Sequence, residues 1–307
     1  MRIVSRYNTL IVVCLAVVSF RFIGCSSGSE GSPTSGRATV YASEDLYPIM
    51  ELEVQAFQQQ YDKASITLLT ASPREAIAHI VNDSVKLAVV SRPLNADEAA
   101  VVKSHSIQID TVCVAYDGIA VIANAAASLQ HLTVAQLRAL ADGTTRSLKG
   151  VGGATADPVI LAFGGKNSDM RDVVAARIMP GEKYIDAVAP CTTTAHAIAF
   201  VASHPSTIGF IGLSWVKQLP AGVAVLAIGD PAFKRLPYYD TLEYFPPHPA
   251  HLYRNYYPLR RSIYVLSRGI HVNVDKGFLA FLAGREGQSV FTKNGLVPAT
   301  MPVRLVP

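Results

Sequence analysis

Charge is scarce in this chain of 307 residues: only 16% are Asp, Glu, Lys or Arg, and the net charge is +4. Lys and Arg are scattered, with no basic face interleaved with aromatics, which argues against nucleic acid as a partner. Cysteine is also scarce, with four in all. Cys14 and Cys25 fall near the start, leaving Cys113 and Cys191, which are either bridged in an exported protein or two buried thiols. Metal-ligand spacing is missing: His248 and His251 form the single histidine pair at helical spacing, and they lie in a Pro-rich loop. No Gly-x-Ser-x-Gly nucleophile elbow surrounds Ser72 or Ser168, so neither has the setting of an activated nucleophile. These absences leave no catalytic residue, no cofactor and no metal to expect, and the chain reads as a binding protein rather than an enzyme.

Long apolar runs are missing as well. Leu10 to Phe20 follows the cations Arg2 and Arg6, too short to span a bilayer and built like the core of an export signal. Phe22-Ile-Gly-Cys25 then precedes a Ser/Gly-rich stretch ending at Gly36, and this resembles a bacterial lipobox and tether. The resemblance implies cleavage before Cys25, lipidation of its thiol, and residence on the periplasmic side as a membrane-anchored lipoprotein. The expected division is therefore a signal peptide over 1–24 and a lipidated cysteine with a flexible tether over 25–36.

From Arg37 onward half-buried strands alternate with capped helices. Ala38 to Ala42 is extended and breaks at Ser43-Glu44-Asp45, before a helix with Pro48 in its first turn. Ala64 to Thr70 is β-branched. Ser72-Pro73-Arg74-Glu75 is a capping box with Pro at the first helical position. Leu87 to Val90 ends at Ser91-Arg92-Pro93, and Asn95-Ala-Asp-Glu98 opens another helix. Val159 to Phe163 runs into Gly164-Gly165-Lys166-Asn167-Ser168-Asp169-Met170-Arg171, read as a strand, a flexible loop and a helix capped by Ser168. Such alternation predicts an α/β fold with parallel strands and ligands at their carboxyl ends. Hydroxyls and unpaired helix amides gather at these junctions, with Lys166, Arg74, Arg92 and Arg171 near them, as an anion site requires.

Several ordered motifs resemble the phosphate-binding proteins of ATP-driven uptake systems. Leu132-Thr133-x-x-Gln136-Leu137-x-x-Leu140-x-x-Gly143 follows an apolar strand and Asn124. Ser91-Arg-Pro-Leu94 is similar to that family's Ser-Arg/Asp-Pro-Leu loop, and Asn167-Ser-Asp-Met-Arg171 to its Ser-Gly-Thr-Arg anion loop. His204-Pro-Ser-Thr-Ile-Gly-Phe-Ile-Gly212, Tyr257-Pro-Leu-Arg-Arg261, Phe281 to Gln288, and Gly295-Leu-Val-Pro298 complete the order.

The resemblance implies a two-lobed periplasmic-binding-protein type II fold, with a ligand cleft between lobes joined by two crossing strands. Lobe 1 is expected over 37–122 plus 257–307, and lobe 2 over 123–256. It further implies capture of an oxyanion, phosphate foremost, between closing lobes and delivery to the permease of an ATP-driven transporter. The alternative is a membrane-tethered sensor or partner-binding protein that keeps the fold with a different ligand. The expected ligand-binding residues are Ser43, Glu44, Ser72, Ser91, Arg92, Lys166, Asn167, Ser168, Asp169 and Arg171. This chain departs from the pattern at Glu44 and Asp45, where small hydroxyl residues are usual, and at Asp169 and Met170, where Gly and Thr are. Carboxylates repel phosphate unless they turn away or accept its proton, so ligand identity stays open. A carboxylate can also act as a selectivity device by rejecting a fully ionised oxyanion. Trp215 is expected in the core of lobe 2, and the aromatic, Pro-rich stretch from Pro231 to Tyr257 as an ordered return into lobe 1.

Overall fold

The computed structural model describes residues 31–179, 187–231, 244–269 and 272–301. The leader, Cys25, most of the tether, and Tyr238 and Tyr239 of the aromatic stretch lie outside the described residues.

Strands β1 (Gly36–Ala42), β2 (Ala64–Thr70) and β3 (Leu87–Val90) are joined by helices α1 (Tyr47–Gln60) and α2 (Pro73–Val81), and α3 (Ala96–Ser104) follows. The long strand β4 (Ile109–Asn124) precedes β5 (His131–Thr133), α4 (Val134–Ala141), β6 (Ile160–Ala162), α5 (Met170–Ile178), α6 (Thr194–Ser203) and β7 (Thr207–Gly212). Then come β8 (Val223–Val225), β9 (Ala227–Gly229), α7 (Pro249–Tyr253), β10 (Arg260–Arg268), α8 (Val274–Ala283), α9 (Arg285–Lys293) and β11 (Val297–Pro298). Capping boxes form at Ser72/Glu75 and Thr133/Gln136, and the helix start expected at Asn95 proves to be a third, with Glu98. Each fixes its helix by satisfying first-turn amides locally, which is why sequence alone located them.

One sheet runs in the order β2-β1-β3-β10-β4-β7-β6. Strands β1, β2 and β3 are parallel, with Ala42 opposite Thr70 on one side and Val89 on the other, so their carboxyl ends line up. Strand β4 is a single crossing strand. Ile109–Gly118 pairs antiparallel with β10, and Ile119–Ala123 pairs with β7. The changeover coincides with a change of core. Val40, Phe57, Val89, Ile263 and Phe278 pack in one cluster, whereas Ile119, Ile122, Leu161, Val174 and Phe210 pack in another. A second crossing lies alongside: the Ile119 amide donates to the Leu259 carbonyl at 2.8 Å, and the Tyr257 hydroxyl donates to the Ile119 carbonyl at 2.7 Å. This is the two-lobed α/β architecture, with loops from both lobes meeting at the strand ends. No helix among the described residues is long and apolar enough to cross a membrane. Cys113 and Cys191 are both free thiols.

Candidate functional site

The loop after β1 projects from one lobe into the other. The Ser43 amide is tied to the Val89 carbonyl at 3.1 Å, and Glu44–Leu46 form a single 3₁₀ turn ahead of α1. That turn aims two carboxylates across the cleft. The Glu44 amide itself donates to the Asn167 carbonyl at 2.9 Å, while the Asn167 side chain leans back towards the Thr70 carbonyl and hydroxyl at 3.4 and 3.3 Å.

Asp45 occupies the loop preceding α5. One of its carboxylate oxygens accepts the Ser168 hydroxyl at 2.9 Å and the Asp169 amide at 3.2 Å; the other is bonded to Arg261. Asp169 reaches the opposite way. It accepts the Ser43 hydroxyl at 3.1 Å, the Ser91 amide at 2.9 Å and Arg261 at 3.2 Å. Glu44 accepts the Thr194 amide at 3.1 Å and the Thr194 hydroxyl at 2.6 Å, at the N-terminus of α6. Every one of these acceptors is a carboxylate oxygen, and every donor is of the kind that holds an oxyanion.

Arg261, 1% exposed, is the hub. Its guanidinium is shared by Asp45, Asp117 and Asp169, and one nitrogen also donates to the Ser91 hydroxyl at 3.1 Å. Asp117 takes two guanidinium nitrogens at 3.0 and 2.7 Å and caps the Gly118 and Leu213 amides. Gly212 makes room for this pair: a Cβ there would lie 2.7 Å from the guanidinium and 3.1 Å from the Asp117 carboxylate.

Three carboxylates against one guanidinium leave uncompensated negative charge in a buried place. Burial, with repulsion from Asp45, pushes Asp169 up to about 7 despite Arg261. Burial also raises Asp117, against the pull of Arg261, and raises Glu44, against its bonds to Thr194. Burial opposes the charge on Arg261, but Asp45, Asp117 and Asp169 outweigh it and raise that group too. Burial and mutual repulsion therefore favour protonation within the cluster, most of all at Asp169.

Of the residues singled out in sequence, Ser43, Ser91, Ser168 and Asp169 converge on this cluster, with Glu44 and Asn167 beside it. Ser72 does not join it, because Glu75 accepts both its amide and its hydroxyl in the capping box. Arg92 does not meet Glu44 or Asp45. It forms a two-pronged pair with Glu98 at 2.7 and 2.8 Å and lines a cavity of about 220 Å³ next to Asp169 and Arg261. Lys166 and Arg171 are exposed. Ser168 is not the N-cap of α5: that position is Asp169, and the Ser168 hydroxyl accepts the Met170 amide at 3.1 Å while donating to Asp45. Trp215 is buried as expected, but its indole N–H crosses to the Asp45 carbonyl at 2.9 Å. His248 and His251 stack edge to face, and among the described residues no group of three metal-ligating side chains forms.

Arg261, Asp117 and Thr194 were not anticipated as site residues. Asp117 did carry a signal, being a charge inside the apolar run Val112 to Ile122, where burial demands a counter-ion. Arg261 stood in the Tyr257-Pro-Leu-Arg-Arg261 motif without a site role, and nothing local marked Thr194.

A sequence model of the PBP superfamily domain matches residues 27–286. The chain belongs to the PBP superfamily. Members of this superfamily domain are solute binders rather than enzymes. Among solved structures, the fold is similar to a protein from Clostridium perfringens described as a phosphate ABC transporter substrate-binding protein with bound phosphate. That match has 20% identity and a TM-score of 0.72, and covers 86% of this chain and 100% of the other. An ABC-type phosphate transport receptor from Vibrio cholerae matches at 19% identity and a TM-score of 0.63, covering 86% and 100%. A single-substitution variant of the OxyR2 regulatory domain from Vibrio vulnificus matches at 11% identity and a TM-score of 0.52, covering 82% and 97%. These identities speak for the fold alone. Curated protein sequences give no match.

Proposed function

We propose that this PBP superfamily chain is an extracytoplasmic oxyanion receptor, with phosphate the first candidate solute, tethered through a lipid on Cys25 and serving the permease of an ATP-driven transporter. One observation carries the reading. Ser43, the Ser91 amide, Ser168, the Asp169 amide and Arg261 come from both lobes and converge on carboxylate oxygens that stand in for those of an oxyanion. Phosphate in their place would meet hydroxyl, amide and guanidinium donors without needing a free cation, while Asp117 keeps Arg261 oriented. The solved structures described as phosphate receptors support phosphate over other oxyanions as the first ligand to try. Ligand-binding roles go to Ser43, Ser91, Ser168, Asp169 and Arg261, with lobe 1 taken as 37–122 plus 257–307 and lobe 2 as 123–256.

The second reading, a tethered sensor or partner-binding protein, is favoured by the engagement of those same donors with the chain's own carboxylates. Calorimetric titration of the full chain in detergent with phosphate, after unfolding and refolding, separates the two. One-to-one binding that weakens at least tenfold in Ser168→Ala is the expected result. No heat with phosphate or sulfate, in either the wild type or a variant whose cleft carboxylates are neutralised, refutes oxyanion capture.

A further inference from the structure

The interlobe bonds have a common feature: each is complete within the chain. Asp45 from the first lobe satisfies the Ser168 hydroxyl and the Asp169 amide of the second. Asp169 from the second satisfies the Ser43 hydroxyl and the Ser91 amide of the first. Glu44 satisfies the first free amide and the hydroxyl of Thr194 at α6. The exchange is reciprocal, and it leaves Asp45, Asp169, Ser43 and Thr194 almost wholly buried. The Glu44 amide and the Trp215 indole add two bonds to backbone carbonyls across the same gap.

We propose that Asp45, Asp169 and Glu44 act as an internal anion that closes the two lobes, making the closed form the resting state and any oxyanion solute a competitor for donors already in use. This rests on the oxyanion reading for the identity of the competitor, but the closure itself does not. A buried hydrogen-bonded carboxylate cannot share its donors with a second anion at the same place, and its charge would repel that anion. Solute entry therefore requires Asp45 and Asp169 to leave together with lobe opening. Apparent affinity is then reduced by the fraction of time the lobes are open. Neutralising the internal anion should strengthen solute binding and loosen the closed state at once, whereas an ordinary binding carboxylate, when neutralised, would not open the lobes. The proposal also explains why the residues that depart from the expected anion-loop pattern, Glu44, Asp45 and Asp169, are the ones that face the donors.

Trp215 is the single tryptophan of the chain and reports the interlobe gap directly. The test combines acrylamide quenching of Trp215 with hydrogen exchange at the Asp169 and Thr194 amides, in the full chain, with and without inorganic phosphate. The expected wild-type result is a shielded Trp215 and protected amides that phosphate does not change further. In Asp45→Asn/Asp169→Asn, quenching should rise severalfold without phosphate and fall back with it, and phosphate affinity should rise about tenfold or more. A wild type whose Trp215 and amides are open without phosphate and shielded with it overturns the internal anion and leaves the oxyanion reading standing. A shielded wild type whose double variant opens but takes up no phosphate keeps the internal anion and removes the oxyanion reading. Should the double variant not fold, exchange at the wild-type Asp169 and Thr194 amides still decides: protection supports the proposal, and exchange at open-loop rates overturns it.

Discussion

Replacing Arg261 with Met is the sharpest test of the ion cluster. The substitution keeps most of the volume but removes the one guanidinium that Asp45, Asp117 and Asp169 share. Breaking a buried ion pair by removing one partner costs about 3–5 kcal/mol, and here more than one carboxylate is orphaned, so that range is a floor. At roughly 2–4 °C per kcal/mol for a chain of this size, the melting temperature should fall by about 10 °C or more at pH 8. The sign of the pH effect follows from the remaining carboxylates. Loss of the cation raises the folded-state pKa values of Asp117 and Asp169 further above the unfolded values, so the variant regains stability as they protonate and loses it as pH rises through the folded pKa. The deficit relative to wild type should therefore shrink between pH 8 and pH 5. Arg260→Met is the control. Arg260 is half-buried with its guanidinium 3.6 Å from the Tyr116 ring centre, and its loss should cost about 0.5–1 kcal/mol with little pH dependence. Scanning calorimetry at both pH values reads all of this. An Arg261→Met protein within about 1 kcal/mol of wild type, or a deficit equal at the two pH values, refutes the cluster as described.

Other positions carry their own expectations. Glu53 on α1 is fully buried, neither of its oxygens has a hydrogen-bond partner among the described residues, and burial pushes its pKa up to about 9. Because that value lies above the unfolded one, its contribution favours the fold at acid pH and is lost as pH rises towards 9; wild-type stability in denaturant melts should decline between pH 5 and pH 9, and Glu53→Gln should flatten that decline. Gly165 lies where a Cβ would come within 1.9 Å of the Thr192 carbonyl oxygen, backbone that cannot swing aside. Gly165→Ala should cost about 1–3 kcal/mol and shift the Asn167–Asp169 loop, read as a red shift of Trp215 emission; an unshifted spectrum would mean the loop absorbs the change elsewhere.

Helix starts were legible because capping is local: Ser72 and Glu75, or Thr133 and Gln136, satisfy each other within one turn. The apolar run from Thr111 to Asn124 was legible as a long strand pair or a crossing strand, and the structure makes it one strand, Ile109–Asn124. The ion cluster was not, because its members meet over long separations; Asp45 and Arg261 lie 216 residues apart, and Asp169 and Ser43 lie 126 apart. Sequence could place Ser43, Ser91 and Ser168 at strand ends, since strand ends are set by local pattern. It could not say whether Ser72 would face the cleft or its own Glu75, since both uses need the same hydroxyl in the same turn.

The carboxylates make the same point from the other side. Read along the chain, Glu44, Asp45 and Asp169 look like damage to an anion site, since each adds negative charge where an anion would bind. In three dimensions each instead supplies acceptor oxygens to donors that would otherwise be buried unpaired when the lobes close, a cost of about 1–3 kcal/mol per group. In this structure the donors of both lobes are filled from within the chain. The excess negative charge that results is offset in part by Arg261, whose other partner, Asp117, belongs to the crossing strand itself. The crossing strand and the carboxylate cluster are thus one hydrogen-bonded unit, and any displacement of Asp45 or Asp169 acts through Arg261 and Asp117 on that strand.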